Sequence, residues 1–108
     1  MIFNTMEISN PVKFRSNLRA NLYKIIKNKN MSENLEKGIF NWCIQESKKK
    51  KIVRKWENPM FVMLYVDRYK SIYLNLKKPK SNILKRLKNK EFKAHELGIM
   101  THQEIEPE

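Results

Sequence analysis

Two Asn-Pro steps, Asn10-Pro11 and Asn58-Pro59, each stand directly before a run whose apolar residues recur at helical spacing. Asn is a strong helix N-cap, and Pro is tolerated at the first helical position, where its missing N–H would have no partner anyway. After Pro11, the residues Phe14, Leu18, Leu22 and Ile25 share one helical face. Arg15, Arg19, Lys24 and Lys27 occupy the remaining faces, and the helix is expected to fade in Asn28-Lys29-Asn30. After Pro59 the stripe is Val62, Val66, Tyr69, Ile72 or Tyr73, and Leu76, which predicts a helix to about Lys77. The run Met60 to Val66 is also rich in residues favoured in strands, but the continued spacing favours a helix.

Between these lies a third long helix, expected from about Ser32 to about Lys48, with Leu35, Ile39, Trp42 and Cys43 on one stripe. Beyond Lys77, Pro79 marks a turn. Short helices are expected over 82–89, with Ile83, Leu84 and Leu87 inward, and over 94–99, with Leu97 inward. Thr101 and Glu104 form a capping box that opens a final helix. Only two glycines occur in 108 residues, too few for the many tight turns of a sandwich or barrel. The expectation is an all-α single domain over 1–108: a three-helix bundle with short additional C-terminal helices and an extended segment over 1–10.

The chemistry is sparse. The single cysteine excludes an internal disulfide and fits a reducing compartment. With His95 and His102 it is too small a set for a Cys-rich structural zinc site. The glycines are sixty residues apart and form no phosphate-cradling loop. Cys43 lies among apolar neighbours and reads as packing, and the histidines as surface or capping residues. Glu104, Glu106 and Glu108 gather at a helix start, where the helix dipole favours acids, and form no expected catalytic pair. No enzymatic activity, metal or cofactor is expected. No apolar run is long enough to span a membrane, and the first residues do not read as a signal peptide.

What stands out is charge: 23 Lys and Arg against 11 Asp and Glu, a net +12. Such a surplus suits an anionic partner, whether nucleic acid or an acidic protein surface. The densest patch is Lys48, Lys49, Lys50, Lys51, Arg54 and Lys55. It reads as a solvated loop, a contact to DNA or RNA phosphates, or a nuclear import signal. Tyr65, Tyr69 and Tyr73 alternate with basic residues, but their spacing is that of a helix face, so core packing is favoured over base stacking.

The segments Arg68-Tyr69-Lys70-Ser71-Ile72-Tyr73-Leu74-Asn75-Leu76, Asn82-Ile83-Leu84-Lys85-Arg86, Leu97 and Met100-Thr101-His102-Gln103-Glu104 together resemble the central domain of the transcription elongation factor TFIIS. Leu35-Glu36-Lys37-Gly38-Ile39-Phe40 is similar to an earlier helix of that family, and the ending from Met100 to Glu108 most resembles the forms carried by large cytoplasmic DNA viruses. The resemblance covers about residues 13 to 108. It implies a three-helix bundle that docks on the largest subunit of a multisubunit RNA polymerase. By motif position, Arg68 and Lys70 are the first docking candidates, then Lys77, Lys78, and Lys85 or Arg86. Tyr69, Ile72 and Leu76 are the implied inward partners.

Two departures qualify the likeness. The loop after Asn75 is a residue shorter than the family pattern. The family's cleavage stimulation belongs to a following zinc ribbon with an Asp-Glu tip, and these residues contain neither its cysteines nor that tip. The expectation is therefore a monomeric anchoring domain, a fragment of a longer factor in preference to a naturally shortened one. It would act in a nucleus, or in the cytoplasm or virion if viral. The rival expectations are a basic helical nucleic-acid binder and, behind it, a structural or packaging protein.

Overall fold

The computed structural model describes residues 8–105. Among these, six helices follow in order: α1 (Pro11–Ile26), α2 (Lys29–Lys49), α3 (Pro59–Lys77), α4 (Ile83–Lys88), α5 (Ala94–Ile99) and α6 (His102–Ile105). The described residues contain no strand. Of the expected extended segment, residues 1–7 lie outside the described residues. The three long helices pack on one another, with α5 on α2 and α4 on α3.

The Asn-Pro steps work as expected. The Asn10 side chain accepts from Lys13 N at 3.1 Å, and the Asn58 side chain from Met60 N at 3.1 Å. The second helix begins earlier than expected, at Lys29 rather than near Ser32. Its cap is Asn28, whose side chain accepts from Met31 N at 3.0 Å. This early start is possible because α1 ends abruptly. Lys27 takes the left-handed conformation at φ 57° and donates its backbone N–H to Tyr23 O, closing one helix so that the next can open two residues on.

The buried apolar residues fall on the expected stripes. Leu18, Leu22 and Ile26 come from α1, Leu35, Ile39 and Cys43 from α2, and Phe61, Val62, Tyr65, Val66, Tyr69, Ile72 and Leu76 from α3. Ile26 rather than Ile25 completes the α1 stripe. Trp56, in the α2–α3 connection, packs edge-on against Phe61 and Tyr65 and stacks with Phe40.

Arg15 and Arg19 do not decorate the α1 surface. Both turn inward onto Glu36 of α2, a carboxylate with no solvent exposure. Arg15 Nε and the Tyr65 hydroxyl each donate to Glu36 Oε2 at 2.7 Å. Arg15 Nη2 and Arg19 Nε donate to Oε1 at 3.0 and 2.8 Å. Each carboxylate oxygen therefore accepts from two groups, and the three long helices meet at one anion. Burial opposes the Arg15 charge, but the hydrogen bonds and charge of Glu36 outweigh it and hold the guanidinium above its ordinary pKa. Burial and the adjacent Glu36 push the Tyr65 hydroxyl well up, so it stays protonated as a donor.

Both glycines lie at the α2–α5 crossing. A Cβ on Gly38 would run into the His95 carbonyl oxygen and sit 2.9 Å from His95 Cα. A Cβ on Gly98 would lie 2.7 Å from Gly38 Cα. Backbone meets backbone here, so no side chain can swing away to make room.

Two outcomes are expected in thermal and denaturant unfolding. Glu36→Ala leaves Arg15 and Arg19 partly buried without their anion and costs about 3–5 kcal/mol. Gly38→Ala would gain about 1 kcal/mol in an exposed helix. Here it is expected to lose about 1–3 kcal/mol or more through overpacking. A neutral or stabilising Gly38→Ala would contradict the tight crossing.

Candidate docking surface

α3 is committed on one side and open on the other. Phe61, Tyr65, Tyr69, Ile72 and Leu76 face the core. Met60, Met63, Asp67, Lys70, Leu74 and Lys77 are exposed and recur at alternating spacings of three and four residues, which is one stripe along the helix. Met60 and Leu74 are each 62% exposed and Met63 48%, large values for apolar side chains on a helix. The stripe thus carries apolar groups at both ends, with Asp67 and Lys70 between them and Lys77 at its C-terminus.

The C-terminal corner is built to hold its charges outward. Tyr73 stacks on buried Tyr69 with ring centroids 5.7 Å apart, and the Lys77 ammonium lies 5.3 Å from the Tyr73 ring centre. Asn75 Nδ2 donates to Ser71 O at 2.8 Å, and Lys78 N donates to Asn75 O, ending the helix. Ser81 N then donates to Lys78 O, and the Ser81 hydroxyl accepts from Ile83 N at 3.2 Å, so α4 starts immediately. Lys78 and Lys85 are exposed beside this corner.

Two sequence candidates are differently placed. Arg68 points inward. Its Nε and Nη2 donate to Gly98 O at 3.1 and 3.0 Å, and Nη2 also donates to the Met100 carbonyl. The guanidinium lies 4.7 Å from the Trp42 ring centre. Burial pulls its pKa down, partly offset by the charge of Glu46. Arg68 thus ties α3 to the end of α5 through two backbone carbonyls while its side chain stays partly exposed. Arg86 is half-buried, 3.6 Å from the Glu91 carboxylate and stacked over Phe92. Lys70, Lys77, Lys78 and Lys85 keep outward positions.

Other candidates resolve as packing or capping. Cys43 is buried, its thiol pushed up to about 12 by burial, and Sγ donates to Phe61 O at 3.9 Å. A thiol in that state is no nucleophile near neutral pH. Tyr65 and Tyr69 are fully buried, and the Tyr69 hydroxyl donates to Leu18 O at 3.0 Å, so core packing accounts for both. His95 and His102 are exposed. Thr101 and Glu104 complete their capping box, with Glu104 Oε1 accepting from Thr101 N at 2.9 Å and Thr101 Oγ1 from Glu104 N at 3.2 Å. Those bonds lower the pKa of Glu104. Glu106 and Glu108 lie outside the described residues. Among the described residues, no cluster of three His, Cys, Asp or Glu side chains could hold a metal, and no helix is long and apolar enough to cross a membrane.

A family model, transcription factor S-II (TFIIS), central domain, matches residues 10–108. The chain belongs to this family. No curated protein and no solved structure gives a significant match. The match spans every described helix, so the bundle above is this chain's form of a transcription elongation factor central domain.

Arg68→Ala is expected to lower the melting temperature by several degrees, and by more than Lys77→Ala, because Arg68 ties α3 to the end of α5. For a domain of this size a loss of about 1 kcal/mol shifts the midpoint by roughly 4–8 °C. Equal melting of the two variants would remove the positioning role given to Arg68.

Proposed function

We propose that this domain binds a multisubunit RNA polymerase on its largest subunit, through the outward stripe of α3 and the corner where α3 meets α4. The observation that carries this reading is the combination of family membership with an exposed, mixed apolar and basic stripe on α3. Lys70 and Lys77 supply charge to meet an acidic surface, and Leu74 between them supplies apolar area to exclude water from the contact. Lys78 and Lys85 extend the charge past the corner. Arg68 and Arg86 act one step back, holding α3 against α5 and shaping the α4 turn.

In this reading the domain anchors and orients and does no chemistry itself. Transcript cleavage stimulated at the polymerase active site would fall to a zinc ribbon outside these residues. The similarity of the Met100–Glu108 segment to viral forms makes a viral or host nuclear-type polymerase the first partner to try.

The test is equilibrium binding of the chain to purified polymerase. Lys70→Glu with Lys77→Glu is expected to weaken binding by at least about tenfold, equivalent to ~1.4 kcal/mol. Leu74→Asp is expected to do the same. Helical content should be preserved in both, since none of these side chains is buried. Unchanged affinity in both variants would exclude this stripe as the docking surface.

A further inference from the structure

The basic segment between α2 and α3 is not absorbed by the docking surface. It begins on the last turn of α2, where Lys48 and Lys49 are helical, and continues through Lys50, Lys51, Arg54 and Lys55. All six side chains are exposed. Cations are favourable at a helix C-terminus, which explains Lys48 to Lys50 in part. It does not explain Lys51, Arg54 and Lys55, which follow the helix. Glu46 lies 4.0 Å from Lys49 Nζ and 3.8 Å from Lys50 Nζ, two loose pairs, and the exposed Glu57 follows Lys55 by two residues.

This segment has a defined shape. Lys51 takes the left-handed conformation at φ 57°, and Ile52 N donates to Ser47 O at 2.9 Å, folding the chain back on the helix end. Asn58 Nδ2 donates to Val53 O at 2.8 Å, and Asn58 N donates to Lys55 O at 3.0 Å. Trp56 is sunk against Phe61 and Tyr65, and Ile52 packs against the core. The backbone is pinned at both ends and its cations project from a fixed ridge.

We infer that this ridge binds the phosphate backbone of duplex nucleic acid, independently of sequence. The residue types decide the ligand. Protein interface cores are depleted in Lys and enriched in aromatic residues and Arg, and this ridge is the reverse. Binding of single strands relies on aromatic platforms for stacking. The one aromatic side chain in the ridge, Trp56, is engaged with Phe40, Phe61 and Tyr65. What remains is a row of point charges, which matches phosphates and reads no bases. The ridge sits at the start of α3 and the docking corner at its end, 19 residues apart, or about 28 Å along the helix axis.

The test is fluorescence anisotropy of the full chain with a mixed-sequence DNA duplex of about 20 base pairs, from about 50 to 200 mM salt. Replacing Lys48, Lys49, Lys50 and Lys51 together by Gln is expected to weaken binding at least about tenfold at low salt and to flatten the log–log salt slope by about 3 to 4. Arg54→Gln with Lys55→Gln is expected to give an intermediate loss. A control with the same charge change at the far end, replacing Lys80, Lys88, Lys90 and Lys93 by Gln, should lose less than about threefold. Helical content and melting of each variant establish that the fold is kept. Equal losses in ridge and control variants would reduce the binding to overall charge and overturn the proposal. So would no loss in the ridge variant, no duplex binding by the parent chain, or tighter binding of a single strand through the same lysines. Polymerase is absent from this assay, so its outcome is separate from that of the docking surface.

Discussion

The fold depends on one buried anion. Glu36 has no access to water, and a bare carboxylate there would cost several kcal/mol even after relaxation. It is tolerable because four donated hydrogen bonds from α1 and α3 meet its two oxygens. An apolar residue could fill the same space, but it would accept many registers of α1 and α3 against α2. The carboxylate accepts one: Arg15 and Arg19 are one turn apart, and Tyr65 must arrive from the other side. The network therefore contributes register more than net stability. It sets the position of Tyr65, and with it the rotation of α3 about its own axis.

That rotation decides which α3 residues a partner can meet. Two residues beyond Glu36, Gly38 points about 200° away around α2, so a single turn of α2 receives α1 and α3 on one side and α5 on the other. The absence of side chains at Gly38 and Gly98 brings α5 down onto α2. This puts the Gly98 and Met100 carbonyls within reach of Arg68, and Trp42, one turn past Gly38, lies under the guanidinium. Arg68 is thereby engaged with the molecule's own carbonyls. Lys70, Leu74 and Lys77, further round the helix, are left facing out. The close glycine contact on α2 and the composition of the outer stripe on α3 are parts of one arrangement.

The helices were legible because their signals are local. Asn10-Pro11 and Asn58-Pro59 start helices whatever the rest of the chain does, and the apolar spacing marks which side faces in. What escaped depends on tertiary partners. Arg15 and Arg19 read as surface decoration, since arginine on a helix is exposed by default. The signal that could have corrected this is Glu36 itself, an acid beside Leu35 in the stripe that continues to Ile39. The tie from Arg68 to the Gly98 and Met100 carbonyls also escaped, because a family motif position does not say which way a long side chain turns. Gly38 in mid-helix carried a cost of about 1 kcal/mol, a sign that backbone was approaching there, but its partner Gly98 is sixty residues away. The start of α2 was misjudged because Asn28-Lys29-Asn30 is polar throughout, and only the cap bond to Met31 reveals the helix.

Most of the positive charge of the chain is not spent in its core. The core consumes Arg15, Arg19 and Arg68 and one carboxylate, so the interior accounts for little of the net +12. The rest lies outside, much of it at the two ends of α3, where like charges repel and destabilise the compact state. The cations also differ in kind between interior and surface. Arginine, with its planar fork, serves where fixed acceptors must be met, at Glu36 and at the Gly98 and Met100 carbonyls. Lysine predominates on the outside, where a flexible point charge meets whatever anion arrives. A fold that spends Arg15, Arg19 and Arg68 inward and leaves most of its lysines outward separates holding itself together from meeting a partner. In the proposed reading, an anionic surface, protein at one end and phosphate at the other, relieves the self-repulsion at each end of α3.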